Sequence, residues 1–153
     1  DVVEEGNLNR QLYFRDQLGQ PKPQALATTL LRINPYARLY LEHERVTEEN
    51  IVMLIGDPDV AIEAVDQAET KAMIATTLMR ERPELPLVCA SGIAGFDTAN
   101  EIVTERIAEN FYLAGDQRSD VRHQLPLLAS RVMCASAHEA HMAIRILLGH
   151  PEP

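Results

Sequence analysis

The sequence predicts an α/β fold: a mostly parallel sheet flanked by helices, with an antiparallel extension near the C-terminal part. Three observations support this. Short apolar runs alternate with longer stretches of helical periodicity, which is the order found in parallel sheets with crossover helices. Two of the apolar runs are bounded by turn residues and are too short for helices, as buried strands are. Two later runs follow each other too closely for a crossover helix, which indicates an antiparallel pair.

The first part of the chain predicts a helix, a strand and a short second helix. The helix spans residues 21–33, because proline suits its first turn and leucines recur at helical spacing until an Asn-Pro pair ends it. Residues 36–42 alternate between apolar and polar side chains, which predicts a strand. A polar Thr-Glu-Glu-Asn stretch then caps a short helix over residues 51–55, which Gly56 ends.

The middle of the chain predicts two buried parallel strands with a helix between them. The strands are residues 60–65 and 87–90, and the helix spans residues 68–82. Asp66 directly follows the first strand. In open α/β sheets ligands bind at the carboxyl ends of the strands, so this position is a candidate site.

The last part of the chain predicts an antiparallel pair and a long helix. Residues 100–107 alternate and residues 110–113 form a second short strand. Residues 115–124 are polar and predict a loop. An alanine-rich helix is expected over residues 131–149, where Gly149 and the following proline end it.

Composition and charge exclude several classes of protein. The 153 residues are 46% hydrophobic and 24% charged, which is typical of a folded domain and not of a disordered chain. The formal net charge of −9 argues against a nucleic-acid partner, because phosphate contacts need a basic face. No apolar run is long enough to cross a bilayer, so no membrane role is expected. The two cysteines form no CxxC pair, which favours a reduced, cytoplasmic setting.

The opening of the chain combines a turn glycine, short amides and two cations. Arg10 offers a planar fork of donors that matches phosphate oxygens, and Lys22 offers a compact charge at the start of a helix. Asn7 and Asn9 suit a helix start that places Arg10 on the first turn, where backbone N–H groups favour an anion. The residues alone allow two interpretations: a phosphate site, or a capped helix with two solvated cations.

Four ordered segments resemble the ThiF/MoeB/HesA family of ubiquitin-activating-type adenylyltransferases. They are residues 1–11 (DVVEEGNLNRQ), 19–22 (GQPK), 31–35 (LRINP) and 63–66 (EAVD). The similarity runs along the whole chain and is greatest to the second ThiF subfamily, which lacks the zinc-binding cysteines of other members. The resemblance implies a Rossmann-like fold and no zinc.

The resemblance also implies a reaction and a set of site residues. The family uses ATP and magnesium to adenylate the C-terminal glycine of a small ubiquitin-like sulfur carrier, such as ThiS in thiamine biosynthesis. By this resemblance Arg10 and Lys22 hold the ATP phosphates and Asp66 binds the magnesium, and these three are the candidate catalytic residues. The implied nucleotide-binding residues are Gly6, Asn7, Leu8, Asn9, Arg10, Lys22, Asp66 and Gln67.

The sequence departs from the family pattern at one important point. None of the seven glycines forms the Gly-rich phosphate loop, which precedes the position of Asp1 in the family. Residues 1–153 are therefore expected to form one nucleotide- and carrier-binding domain that is N-terminally truncated, binds ATP weakly and self-associates as a homodimer. Two alternatives remain: a non-catalytic module that binds a ubiquitin-like partner or dimerises, and a nicotinamide-dependent oxidoreductase, suggested only by the α/β alternation.

Several other residues allow a functional and a structural interpretation. Cys134, His138 and His141 share a helix face, which suits either a metal or, more often, packing. Cys89 lies in a buried strand and is expected to be a core residue. The small residues 91–95 leave room for a Gly-Gly tail or form a plain turn. Charged residues of the polar loop (Arg118, Arg122 and His123) are candidates for meeting a carrier or are only solvated.

Overall fold

A computed structural model describes residues 1–119 and 125–153, so Arg122, His123 and the end of the predicted polar loop lie outside the described residues. The chain divides into two units, Asp1–Arg45 and Val46–Pro153. Each unit is described by itself below. The prediction that the 153 residues act as one domain stays a prediction.

The first unit is organised around one helix. Helix α1 spans Lys22–Ile33, with Pro21 at its N-cap and a second proline in the first turn, which confirms the predicted helix to within one residue. Two short 3₁₀ helices, Glu5–Asn7 and Arg15–Gln17, precede it. The buried Gln17 side chain joins the second of these to α1, because its Nε2 donates to the carbonyl of Ala25 at 2.9 Å.

The predicted strand at residues 36–42 is wrong, because this segment forms no strand among the described residues. A strand needs a ladder of backbone hydrogen bonds with a neighbour, and no backbone group from residue 38 to residue 42 bonds to a described residue. The segment instead lines a groove of about 530 Å³ beside α1, with its polar side chains as well as Leu39 and Leu41. At the start of the unit, Val2 makes an isolated antiparallel bridge to Pro21.

The second unit contains a four-stranded sheet. Its strands are β1 (Ala61–Glu63), β2 (Leu87–Ala90), β3 (Val103–Ala108) and β4 (Phe111–Gly115), in the order β1-β2-β4-β3. β1, β2 and β4 are parallel, and β3 is antiparallel to β4, which confirms the mixed sheet predicted from the sequence. The parallel strands place the segments that follow them at one edge of the sheet.

Helices cover the sheet and bury its apolar residues. They are α2 (Ile51–Ile55), α3 (Ala68–Glu81) and α4 (Ala129–Leu147). One cluster joins α2 and α3 to β1 and β2 through buried aliphatic residues such as Ile74, Leu78 and Leu87. A second cluster joins α4 to β2 and β4 through Met142, Val88 and Tyr112. No described helix is long and apolar enough to span a membrane.

The observed elements differ from the predicted bounds mainly at strand ends. β1 is three residues long, not six, because its parallel ladder with β2 ends at Glu63. β3 and β4 each begin later in the chain than predicted, and a register irregularity between Arg106 and Ala108 leads into their turn. α4 starts two residues earlier than predicted. β2 lies where the sequence predicts it, since all four of its residues are buried.

Candidate functional site

The opening motif folds into a tight turn. The carbonyl of Asn7 accepts from the backbone N–H groups of Arg10 and Gln11 at 3.1 and 2.9 Å. The Asn7 side chain accepts from the N–H of Glu4 at 2.9 Å, which satisfies a donor at the start of the 3₁₀ helix. The expectation that Arg10 lies on the first turn of a helix is wrong, because the helical turn ends at Asn7 and Arg10 follows it. Leu8 is the C-cap residue of this turn.

The turn holds the guanidinium of Arg10 in place. Its Nη1 donates to the carbonyl of Gly6 and to Oδ1 of Asn9, both at 2.9 Å. The structure thus brings together Gly6, Asn9 and Arg10. No described residue takes a hydrogen bond from the other guanidinium nitrogens, which leaves a pair of donors available for an anion. The neighbouring Gln11 contributes a buried Oε1 that no described residue satisfies.

Lys22 is the first residue of α1, where the sequence predicts it. Its Nζ lies 3.2 Å from Oδ2 of Asp1, and its side chain is 22% exposed. The Asp1 carboxylate therefore occupies the position beside the Lys22 amine that an anionic ligand would take. The backbone carbonyl of Lys22 lies 3.5 Å from the hydroxyl of Tyr13, whose pKa is raised by burial.

Asp66 and Gln67 belong to the second unit and follow β1 at the carboxyl edge of the sheet. Both are exposed. Gln67 is the N-cap residue of α3, and its carbonyl accepts from the N–H of Lys71 at 2.9 Å. Ser91 and Asp116 follow β2 and β4 at the same edge. An exposed carboxylate at this edge suits a ligand that reaches the sheet from solvent.

A buried carboxylate that sequence reasoning assigned no role supports the turn before Asp66. The side chain of Glu63 is 1% exposed; its Oε1 accepts from the N–H of Val65 at 2.6 Å and its Oε2 lies 2.5 Å from Nζ of Lys71. This pairing satisfies a charge that burial otherwise makes costly. The signal in the sequence was an acidic residue inside an apolar strand, followed eight residues later by a lysine.

A second buried ion pair, also missed from the sequence, joins the segments after β2 and β4 to α4. Asp116 and Arg131 are 2.5 Å apart, with side chains only 2% and 3% exposed. Arg131 also donates to the carbonyls of Asp97 and Thr98. Burial acts to raise the pKa of Asp116, but hydrogen bonds from Ser119 and Arg118 and the charge of Arg131 lower it on balance. We call Asp116, Arg118, Ser119 and Arg131 the Asp116 cluster.

Two glycines make room for the Asp116 cluster. A Cβ at Gly92 would lie 2.1 Å from Oδ1 of Asp116, and a Cβ at Gly115 would lie 1.7 Å from the carbonyl oxygen of Ser91. Both glycines also have positive φ angles. Gly92 and Gly115 thus have a structural reason to be glycine, and the suggested place for a Gly-Gly tail at residues 91–95 stays a prediction.

Cys89 is buried and His138 is half-buried, whereas His141 on the same helix is exposed. Burial raises the pKa of Cys89 to about 12, with the Glu63 charge adding to the effect. Nδ1 of His138 lies 2.9 Å from Oγ1 of Thr104. Cys134 is half-buried on α4. Within the described ranges no group of three or more metal-ligating side chains is arranged to hold a metal ion.

The two thiols are expected to differ sharply in reactivity. At mildly alkaline pH an aromatic disulfide reagent should label Cys134 and leave Cys89 unmodified in the native protein, because the thiolate is the nucleophile and burial disfavours it. Mass spectrometry of the labelled protein, with Cys134→Ser as the control, measures this. Native labelling of Cys89 in that variant would contradict the burial described here.

Comparison with known proteins identifies the family of this chain. The chain belongs to the ThiF family, whose model matches residues 1–153. Among its relatives, the tRNA threonylcarbamoyladenosine dehydratase of Escherichia coli K12 is 33% identical over 92 residues, which is 58% of this chain and 33% of that protein. The sulfur carrier protein adenylyltransferase of Thermus thermophilus is 32% identical over 75 residues, 48% of this chain and 28% of that protein. The chain thus spans about a third of the length of these curated relatives.

Solved structures support the same fold. The E. coli tRNA N6-threonylcarbamoyladenosine dehydratase in complex with ATP superposes with a TM-score of 0.82 at 18% identity, covering 97% of this chain and 73% of that one. This likeness confirms the Rossmann-like α/β fold with its antiparallel β3–β4 pair. The family assignment made from the four sequence segments is also confirmed.

Proposed function

We propose that this protein acts in the ATP-dependent adenylylation of the C-terminal glycine of a ubiquitin-like sulfur carrier, of the ThiS type used in thiamine biosynthesis. The observation that carries the proposal is the Arg10 turn within a chain that matches the ThiF family over residues 1–153. One backbone oxygen and one side-chain oxygen accept hydrogen bonds from Nη1 of Arg10. The other two guanidinium nitrogens are therefore available to a phosphate. The named adenylyltransferase among the relatives supports the reaction.

In this proposal Arg10 and Lys22 bind the nucleotide. Arg10 holds phosphate oxygens through its free donors, while Gly6, Asn7, Leu8 and Asn9 form the turn that presents it. Lys22 exchanges its Asp1 carboxylate for a phosphate oxygen of the ligand. The carrier carboxylate and the ATP phosphates are all negatively charged and repel each other as a carboxylate oxygen attacks the α-phosphate and pyrophosphate leaves, so cationic positioning supplies most of the catalysis. The terminal carboxylate is already ionised and needs no general base.

For the second unit, the family resemblance assigns roles to Asp66 and Gln67. Magnesium in nucleotide sites is commonly held by one or two carboxylates together with substrate phosphates, so a single exposed aspartate fits this role. Bound there, the ion would neutralise phosphate charge. Gln67 offers an amide beside the nucleotide. We further propose a cytoplasmic homodimer whose partner is the carrier protein, with no nucleic-acid substrate.

A second candidate function is a non-catalytic module that binds a ubiquitin-like partner. The amine of Lys22 is already paired with the Asp1 carboxylate at 3.2 Å, and this observation favours it. In such a module carrier binding persists without turnover. The two candidates therefore differ in whether nucleotide binding accompanies carrier binding.

Calorimetry with ATP and magnesium tests the site directly. Asp66→Ala is expected to weaken ATP binding about tenfold in the presence of magnesium and to leave binding without magnesium nearly unchanged, because only the metal contact is lost. Asp59→Ala, at an exposed aspartate before β1, is the matched control and should bind like the parent chain.

The outcomes separate the candidates. ATP binding that depends on Asp66, followed by carrier-dependent exchange of pyrophosphate into ATP, supports adenylylation. Carrier binding without any ATP binding overturns the enzymatic proposal and supports the non-catalytic module. Equal effects of Asp59→Ala and Asp66→Ala would remove Asp66 from the site.

A further inference from the structure

Two buried carboxyl groups of the second unit share one lysine. Glu63 at the end of β1 and Glu139 on α4 are only 3% and 5% exposed. Lys71 of α3 pairs with Glu63, and its positive charge also acts on Glu139. We call Glu63, Lys71 and Glu139 the Lys71 cluster. When both carboxyl groups of this cluster are ionised, one ammonium group has to compensate two buried negative charges.

The hydrogen bonds of the Lys71 cluster all go to Glu63. Its Oε2 accepts from Nζ of Lys71 at 2.5 Å, and its Oε1 accepts from the N–H of Val65 at 2.6 Å. In contrast, Oε1 of Glu139 is buried and no described residue bonds it. A buried carboxylate without a partner is costly, so the fold favours the protonated form of Glu139. Burial raises the pKa of Glu139 to about 7, which agrees with this geometry.

Lys71 is the cation that Glu139 can attract. Within the described part of the chain, Lys71 and Glu63 are the charged groups that act on Glu139. The Glu139 charge also reaches the buried Cys89 thiol of β2. Other titratable groups of α4 and of the elements packed against it are bonded elsewhere, packed or exposed: the Asp116 cluster, Glu101, Glu105, Arg106, Tyr112, His138 and His141.

Ionisation of Glu139 weakens the bonds of Glu63 in two ways. The new negative charge attracts Lys71, and it repels the Glu63 carboxylate. Both effects are strong in a buried setting, where water screens little. The Glu63 carboxylate holds the N–H of Val65, and Val65 directly precedes Asp66. A weaker Glu63–Lys71 pair therefore loosens the turn that carries the Asp66 carboxylate.

We propose that Glu139 is a positioning residue for Asp66. With its proton, Glu139 leaves Lys71 to Glu63, and the turn before Asp66 is held. Without its proton, Glu139 competes for Lys71, and the turn is released. The loosening of the turn does not depend on a ligand. Its consequence rests on the proposed function: magnesium-dependent ATP binding through Asp66 weakens as pH rises.

Nuclear magnetic resonance of the isotope-labelled full chain tests the turn without nucleotide. The amide signal of Val65 in the parent chain should shift between about pH 6 and pH 8, because its acceptor Glu63 responds to the charge of Glu139. In Glu139→Gln the signal should stay at its low-pH position. His141→Gln is the matched control, since it removes an exposed titratable side chain two residues away on α4 and should leave the Val65 shift as in the parent chain.

Calorimetry with ATP and magnesium tests the consequence for binding. Parent chain and Glu139→Gln are compared at the same pH, so the titration of ATP itself cancels. The two should bind alike at about pH 6, and Glu139→Gln should bind about fivefold more tightly at about pH 8. In an Asp66→Ala background Glu139→Gln should change nothing, because the positioned carboxylate is absent.

The results separate this proposal from the proposed function. A Val65 signal that does not titrate, or that titrates equally in Glu139→Gln, overturns the role of Glu139. An ATP effect that persists in the Asp66→Ala background overturns the role of Asp66. A chain that binds no ATP at all overturns the proposed function, while the Val65 signal still decides whether Glu139 controls the turn. Titration of Val65 that only Glu139→Gln abolishes, together with its pH-dependent gain in ATP binding, supports the proposal.

Discussion

Replacing Arg131 with methionine is expected to lower the free energy of unfolding by about 3–5 kcal/mol, because Asp116 would remain buried with its charge uncompensated. The carbonyls of Asp97 and Thr98 lose their donor in the same step. Methionine fills much of the same volume, so the loss reports on charge and hydrogen bonds more than on packing. Urea denaturation followed by far-UV circular dichroism measures it, since the chain has no tryptophan.

Two further variants show whether the ion pair is the cause. Arg118→Met removes the arginine of an exposed pair, with a side chain 72% exposed beside Glu101, and should change stability by no more than about 1 kcal/mol. The double variant Asp116→Asn/Arg131→Met should be more stable than the Arg131→Met single variant, because no buried charge is left unpaired. Equal losses in Arg118→Met and Arg131→Met would contradict this account.

Replacing Glu139 with glutamine is expected to stabilise the protein at neutral pH and to change its pH dependence. Glu139 lies on α4, is 5% exposed, and no described residue bonds its Oε1. Burial raises its pKa from 4.5 to about 7; the Lys71 charge opposes this shift and the Glu63 charge adds to it. Ionisation in the folded state is therefore disfavoured by roughly 3 kcal/mol.

The sign of the pH effect follows from proton binding. Between pH 4.5 and 7 the folded protein holds a proton on Glu139 that the unfolded chain has released. The stabilisation associated with this proton is complete below pH 4.5 and is lost as pH rises through 7. Glu139→Gln should thus flatten the fall in stability across this window, as measured by urea denaturation at several pH values.

An exposed position provides the control for this prediction. Glu109→Gln, in the turn between β3 and β4, should leave the pH dependence of stability as it is in the parent chain. If Glu139→Gln and the parent chain lose stability equally between pH 4.5 and 7, another group is responsible for the slope.

Local patterns predicted the elements that bury a continuous apolar face. β2 was predicted with its exact bounds, because four apolar residues in a row indicate a buried strand. α1 was predicted to within one residue, because its leucines recur at helical spacing. Residues 36–42 show the limit of this reasoning: their period of two is real, but a strand also requires a neighbour, which a pattern within one segment does not reveal.

The candidate site shows the same difference between local features, which the sequence predicts, and contacts between elements, which it does not. The Gly-Asn-Leu-Asn-Arg motif gave the turn residues, and Lys22 begins α1 as expected, since both features depend on local turn and capping preferences. Arg10 lies beyond the helical turn, which ends at Asn7, because residue spacing alone does not decide where so short a turn ends. Glu63 with Lys71 and Asp116 with Arg131 were missed, because ion pairs between separate elements depend on tertiary packing.

The short length of β1 gives the sheet a gradient of local stability. β2 is paired on both sides and fully buried, whereas β1 is joined to it by only three residues, and among the described residues it has no second neighbour. Amide hydrogens of β2 should therefore exchange near the rate of global unfolding, and those of β1 through smaller openings. Asp66 follows β1, the strand that is expected to open more readily. The Glu63–Lys71 pair stabilises the turn between β1 and Asp66, so it limits how often Asp66 is displaced.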